Sequence, residues 1–214
     1  MALKFYHGHG SPFSWRVWLA LEAKRIPYEL EVLSFTAGDT KKPEFVAINP
    51  RHQVPTIVDD GFALWESTVI LEYLDERFGG AKLYPGDVKQ RARVRRLARE
   101  AESYLGPEAL DTIMEEYFFK GDAAPDLEKV GHAREKLAAE LAYFAQELRG
   151  DFLDGAAITG ADIVMYPYIA YMKRLTVRKP ETKLTDLLPP ALDAWAKRIE
   201  AQPWFDKTFP PHWK

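Results

Sequence analysis

Cysteine is absent from all 214 residues, which excludes disulfides, thiolate metal sites and any protein-derived thiol nucleophile. Sulfur chemistry, if this chain performs any, has to arrive with a ligand. No run approaches the roughly 18 consecutive apolar residues that cross a membrane, and the opening Met-Ala-Leu-Lys-Phe-Tyr-His lacks the apolar core of a secretion signal. The chain is therefore expected to be cytoplasmic, with no membrane partner. A dominant charge is missing as well. The 29 Lys and Arg residues stand against 32 Asp and Glu, a formal charge of -3 with the signs interspersed, and such a surface builds no broad field for nucleic acid or anionic lipid. Repeats and low-complexity tracts are lacking too. What remains is an ordinary globular composition, 47% hydrophobic and 29% charged, with length for one or two cores.

The first third alternates short strand-like runs with helical periods. Residues 4–7 and 28–33 are rich in aromatic and branched side chains, and between them Val17, Ala20, Leu21 and Lys24 recur at helical spacing. A short helical turn is predicted over residues 43–48. Residues 56–58 and 62–64 then flank Asp59-Asp60-Gly61, a strong hairpin signal. A helix follows with Ile70, Tyr73, Leu74 and Arg77 on one side. The order β-α-β-α-β-β-α predicts a small α/β sheet domain over residues 1–79. Gly79-Gly80 and Pro85-Gly86 bracket a connection of the kind that joins domains. Beyond it strand signals fade. Residues 88–119, 126–148, 161–175 and 189–202 read as helices, so residues 88–214 are predicted to form an all-helical bundle.

Three segments of the first domain carry candidate chemistry. Gly10-Ser11-Pro12-Phe13-Ser14-Trp15-Arg16 lies between a predicted strand and a predicted helix, where backbone N–H groups and the positive end of the helix dipole favour an anion. Asn49-Pro50-Arg51-His52-Gln53-Val54-Pro55-Thr56 puts a proline directly before a strand. A trans bond there is merely a strand start; a cis bond would offer the N–H and C=O of Val54 to a peptide-like ligand. Glu66-Ser67-Thr68 opens the third helix, with N–H groups and a hydroxyl for a carboxylate and Glu66 for an ammonium. Taken singly, the first and last segments read as helix caps.

In combination they resemble the glutathione transferase family: a serine-containing turn, then Gln53-Val54-Pro55, then Glu66-Ser67. Thr159-Gly160-Ala161-Asp162-Ile163 is similar to the capping box that opens the buried helix of that family's second domain. The likeness covers nearly the whole chain. It implies a thioredoxin-like α/β domain at the N-terminus, an all-α bundle behind it that contributes the hydrophobic substrate site, glutathione as co-substrate and no metal. Ser11-Pro12-Phe13 resembles the Cys-Pro-Phe of omega-like members with serine in place of cysteine, whereas Ser14-Trp15-Arg16-Val17 is similar to the zeta class. Phi-like features leave the class open.

The resemblance makes Ser11 the catalytic residue, its hydroxyl donating to the sulfur of glutathione, with Tyr6 and Ser14 as alternative donors. It assigns Phe13, His52, Gln53, Val54, Pro55, Glu66 and Ser67 to the tripeptide. Tyr104, Tyr117, Phe118 and Tyr166 are expected at the hydrophobic substrate site, although aromatic residues at helical spacing also build cores. The implied reaction conjugates the glutathione thiolate to an electrophilic, mainly apolar small molecule. A zeta-type glutathione-dependent isomerase and a non-catalytic glutathione-binding module are the alternatives. His7 and His9 have only H-x-H spacing, without acidic or thiol partners, and are not read as metal ligands. Arg91, Arg95 and Arg99, with Arg93 and Arg96, form a cationic stripe. It reads as a solvated or interface face that could meet Glu72, Asp75 or Glu76 of a partner's third helix, in a homodimer and not on nucleic acid. The C-terminal Pro203-Trp204-Phe205 and His212-Trp213 read two ways, as a cover for the substrate site or as packing against the bundle.

Overall fold

The computed structural model describes residues 3–121 and 123–213. The chain divides into two units, one formed by Met1–Pro85 with Pro203–Lys214 and the other by Gly86–Gln202.

The first unit is built on a mixed sheet of four strands in the order β2-β1-β3-β4. β1 (Leu3–His7) pairs in parallel with β2 (Tyr28–Val32) and antiparallel with β3 (Thr56–Asp59), which pairs antiparallel with β4 (Phe62–Trp65). α1 (Pro12–Ala23) makes the crossover between the parallel strands. A short α2 (Pro43–Val46) precedes β3, and α3 (Ser67–Arg77) follows β4. Along β1 the buried Leu3, Phe5 and His7 alternate with Lys4 and Tyr6, the period of a strand with two different faces. α1 and α3 pack together, and Val17 and Leu21 of the first and Ile70 and Leu74 of the second are fully buried. The β3–β4 turn is Asp60-Gly61, with φ of 48° and 86°. Two successive left-handed residues form the I′ turn whose twist matches an antiparallel hairpin, and this is why the Asp-Gly pair marks it.

The C-terminal segment groups with this first unit, whereas the sequence reading put it in the helical domain of residues 88–214. Trp15 of α1 explains the return. Its indole N–H donates to Thr208 Oγ1 at 3.0 Å, and its ring meets Phe205 of α9 (Phe205–Thr208), Phe209 and Trp213 at centroid distances of 6.2, 6.0 and 5.5 Å. A tryptophan needs both apolar cover and a partner for its N–H, and the tail supplies both to α1. Asp75, offered above as an intersubunit partner, is committed inside this unit. It pairs with buried Lys24 at 3.1 Å and accepts the N–H groups of Leu83 and Tyr84 at 2.7 and 3.3 Å.

The second unit is helical. α4 (Val88–Glu100) runs on into a π-wound stretch (Ala101–Leu110), one α-turn of α5 (Asp111–Met114) and a second π-wound stretch (Glu115–Phe119). The sequence predicts one helix over 88–119; the path is continuous, but Pro107, which lacks an N–H, lies within the first wide-wound stretch. α6 (Leu127–Glu147), α7 (Gly160–Arg178) and α8 (Pro190–Glu200) complete the unit. Much of the cationic stripe is paired internally. Arg93 bonds Glu147 and Asp154, each at 2.7 Å, Arg96 bonds Glu100 and Glu147, and Arg99 bonds Glu102.

α7 starts on the predicted capping box. The Asp162 carboxylate, fully buried, accepts the Thr159 N–H and hydroxyl at 2.8 and 2.7 Å, the Leu153 N–H at 2.9 Å and the Trp195 indole N–H at 2.8 Å. Burial pushes this carboxyl upward and the four donors pull it back. Removing the acceptor strands all four donors in a dry core. Asp162→Ala is therefore expected to lower stability by about 3 kcal/mol or more, read by urea unfolding beside a surface control such as Glu135→Ala.

Candidate active site

The turn between β1 and α1 gathers the first group of candidates. Ser11 is the N-cap of α1, half-buried, its Oγ accepting the Ser14 N–H at 3.2 Å while its carbonyl accepts the Trp15 N–H. A hydroxyl has one hydrogen and two lone pairs, so a capping Ser11 still has its O–H to donate outward. Pro12 fits the first helical position because its missing N–H would be an orphan there. Phe13 is exposed, and the Arg16 guanidinium lies 4.7 Å from its ring centroid.

The alternative donors sit differently. Ser14 is wholly buried and turned inward, where its Oγ accepts the Gly8 N–H at 3.3 Å and shares a hydrogen bond of 2.9 Å with His7 Nδ1. Tyr6 lies on the other face of β1 from His7, with its ring 5.6 Å from that of Phe45 in α2. Ser11 thus combines partial exposure with a place at the helix N-terminus.

The second group is held beside this turn. The Val54-Pro55 bond is cis, immediately before β3. Gly8 lets the two segments approach: a Cβ there would come within 2.9 Å of Val54 Cγ2 and 2.5 Å of the Phe35 ring. Residues 49–56 are organised by Asn49, a residue to which the sequence reading gave no role. Asn49 is fully buried and donates through Nδ2 to the Gln53 carbonyl and to Thr56 Oγ1, each at 2.9 Å, while its Oδ1 accepts the Arg51 N–H. His52 is exposed with φ of 57°, and Gln53 is exposed beside the buried Val54. An asparagine that satisfies three backbone or hydroxyl groups of its own loop is recognisable only once the loop is closed.

The third group stands at the start of α3. Glu66 is exposed and has φ of 72° and ψ of 109°. A non-glycine residue in that region is strained, and such strain concentrates at functional sites. Buried Ser67 accepts a hydrogen bond from Arg16 Nη1 at 3.2 Å. Arg16, itself wholly buried, therefore links the α1 turn to the head of α3. The sequence placed Arg16 only in a class-like string; a buried guanidinium is not visible from spacing.

The four aromatic candidates of the second unit do not share one environment. Tyr104 is exposed, and Tyr117 and Phe118 are half-buried, with Arg178 4.9 Å above the Phe118 ring. Tyr166 is 1% exposed, packs against Trp195 and donates to Glu200 Oε1 at 3.2 Å. It is a buried residue of the bundle, unlike the other three. Among the described residues no group of three or more His, Cys, Asp or Glu side chains could hold a metal ion, and no helix is long and apolar enough to cross a membrane.

This arrangement has counterparts among known proteins. A family model described as Glutathione S-transferase, N-terminal domain, matches residues 10–77, and one described as Glutathione S-transferase, C-terminal domain, matches residues 110–203. Glutathione S-transferase D7 of Drosophila melanogaster is 32% identical over 169 residues, 76% of this chain and 71% of the relative. Glutathione S-transferase A of Pleuronectes platessa is 30% identical over 216 residues, 96% of this chain and 90% of the relative. A solved glutathione S-transferase from the Antarctic clam Laternula elliptica has a TM-score of 0.81 at 28% identity, covering 100% of this chain and 94% of its own.

His7 gives the turn a pH signature. Buried under the Trp18 ring at 4.6 Å, with His9 Nδ1 3.0 Å from its Nε2, it is held down to about 3 from an ordinary 6.5, chiefly by burial and then by His9. The unfolded chain takes up a proton near 6.5 and the folded one only near 3. Stability is therefore intact above 6.5 and falls by up to about 1.4 kcal/mol per pH unit between those values. His7→Asn is expected to flatten that fall by about one proton, checked by denaturant unfolding across the acid range.

Proposed function

Given that the chain belongs to the glutathione S-transferase family and is an enzyme of that family, we propose that it conjugates the thiolate of glutathione to an electrophilic, mainly apolar small molecule, with Ser11 as the residue that favours the thiolate. The observation that carries this reading is the half-buried Ser11 hydroxyl at the head of α1, capping one N–H and retaining its own hydrogen. The magnitudes agree. A thiol of ordinary pKa, about 8.5, is a few per cent ionised at neutral pH, and lowering it by about two units takes about 2.7 kcal/mol. A hydrogen bond to a charged group supplies about 1.5–3 kcal/mol and a helix N-terminus about 0.3–1.

The remaining residues divide the tripeptide among them. Glu66 accepts its ammonium, and the Ser67 hydroxyl, already accepting from Arg16, has its own hydrogen to give to the neighbouring carboxylate. Val54 pairs with the peptide backbone through its N–H and C=O, and His52 and Gln53 lie toward the glycine end. The electrophile meets the thiolate as a bound neighbour, which replaces a bimolecular collision by proximity. Tyr104, Tyr117, Phe118 and Tyr166 are the candidates for its apolar contacts, Tyr166 being the one that is buried. In this reading the protein acts in the cytoplasm and holds no metal.

Ser11→Ala is expected to bind glutathione within a few-fold of wild type but to lose the ultraviolet absorbance of the bound thiolate at neutral pH, with kcat/KM down about 10- to 100-fold. An unchanged thiolate signal in that variant would transfer the role to Tyr6 or Ser14. No glutathione binding by the wild type would favour a non-catalytic module.

A homodimer is part of the same reading, supported by the exposed apolar Phe62 of β4 and Val69 of α3, each about half accessible. Sedimentation at micromolar concentration is expected to give twice the chain mass; a monodisperse species of 24.5 kDa would contradict it.

A further inference from the structure

The C-terminal end of α1 closes as helices usually close on a glycine, but an arginine stands there. The Ile26 N–H bonds the Leu21 carbonyl and the Arg25 N–H the Glu22 carbonyl, the two bonds of a left-handed cap. Arg25 takes the left-handed position, with φ of 55°, where a residue with a side chain is strained. Its exposed side chain lines a cavity of about 470 Å³. Pro27 lines the same cavity, as do Pro203, Trp204 and Lys207 of the returning C-terminal segment, so the whole cavity lies within the first unit. Three charged groups line it, and two of them cancel. Glu22, its side chain 13% exposed, meets Lys207 Nζ and accepts from the Tyr28 hydroxyl, each at 2.5 Å, and the Tyr28 oxygen accepts the Trp18 indole N–H at 2.6 Å. Among the described residues no hydrogen bond or ion pair engages the Arg25 guanidinium or the indole N–H of half-buried Trp204.

We infer that this cavity is a binding site for a small aromatic monocarboxylate, separate from the turn that holds Ser11. The guanidinium fork of Arg25 matches a carboxylate with two parallel hydrogen bonds. The rings of Pro27 and Pro203 and the indole of Trp204 suit a flat hydrocarbon body, and the indole N–H is a further donor. The volume falls within the roughly 300–1,000 Å³ of small-molecule sites. One uncommitted cation sets the charge at one. A phosphate or a polyanion would meet the Glu22 carboxylate, and the cation that answers it, Lys207, is already spent on Glu22. A neutral ring would gain the apolar walls alone. The two ends of α1 keep this site apart from the candidate active site: its 12 residues, at about 1.5 Å each, span about 18 Å. Both sites are therefore open to ligand at once.

Calorimetry on the full chain at neutral pH and low salt tests the inference, with 2-naphthoate as the probe and neutral 2-naphthamide as its control. One 2-naphthoate is expected per chain, with its affinity unchanged by an excess of S-hexylglutathione. Arg25→Gln and Arg25→Gly are expected to weaken the carboxylate about 10- to 100-fold and to leave the amide as it was. Trp204→Ala is expected to weaken both. The glycine variant relaxes the strained cap, so urea unfolding should find it no less stable than the wild type, and a loss of binding in it is not a loss of fold. The inference is overturned if the wild type does not bind 2-naphthoate, or if S-hexylglutathione displaces it. It is also overturned if the Arg25 variants hold the carboxylate as tightly as the wild type, or if Trp204→Ala holds both probes as tightly. None of these readouts depends on which residue meets the thiol of glutathione.

Discussion

The first unit depends on how the open N-terminus of α1 is satisfied. A helix begins with N–H groups that have no partner within it, and here the strand-to-helix turn answers them in a graded way. Ser11 caps the Ser14 N–H through its side chain and the Trp15 N–H through its carbonyl, and Pro12 removes one donor altogether. Ser14, one turn further in, faces His7 and the Gly8 N–H. Two serines three positions apart therefore have opposite environments. One is spent in the core and one is left half-buried with a hydrogen to give, in the field of a helix dipole.

The neighbouring segments are fastened to that helix by buried polar groups, each with a specific partner. Arg16 reaches the hydroxyl of Ser67 and so relates the start of α3 to the start of α1. Asn49 closes the loop ahead of the cis Val54-Pro55 bond, and Gly8 lets that loop approach. The bundle uses the same device at Asp162, whose four donors join the start of α7 to Leu153 and Trp195. Polar groups buried in this way specify a single arrangement, because any shift leaves a donor or acceptor unanswered.

Much of this was legible before any coordinates. Asp60-Gly61 named its turn because two left-handed residues in succession need such a pair. Thr159 and Asp162 announced the helix start because a capping box is a contact between residues three apart. The candidate site was legible as an ordered set of weak motifs over the first unit. What escaped the sequence was contact at long range. Nothing in the spacing tells that Trp15 takes its cover from residues 205–213, that Asp75 is neutralised by Lys24, or that Tyr166 lies in the core with its hydroxyl on Glu200. His7 and His9 looked like a poor metal motif. The hydrogen bonds of His7 to Ser14 and to His9 required β1 and α1 to be packed first.

The central claim is that the head of α1 ionises a thiol that arrives with the ligand. The most direct measurement is the number of protons released when the wild-type protein binds glutathione at neutral pH, obtained by calorimetry in buffers of different ionisation enthalpy. Release of about one proton per bound tripeptide is the expected result, with almost none for a glutathione whose sulfur is methylated. Binding of glutathione without proton release would show that the thiol stays protonated, and would contradict the account.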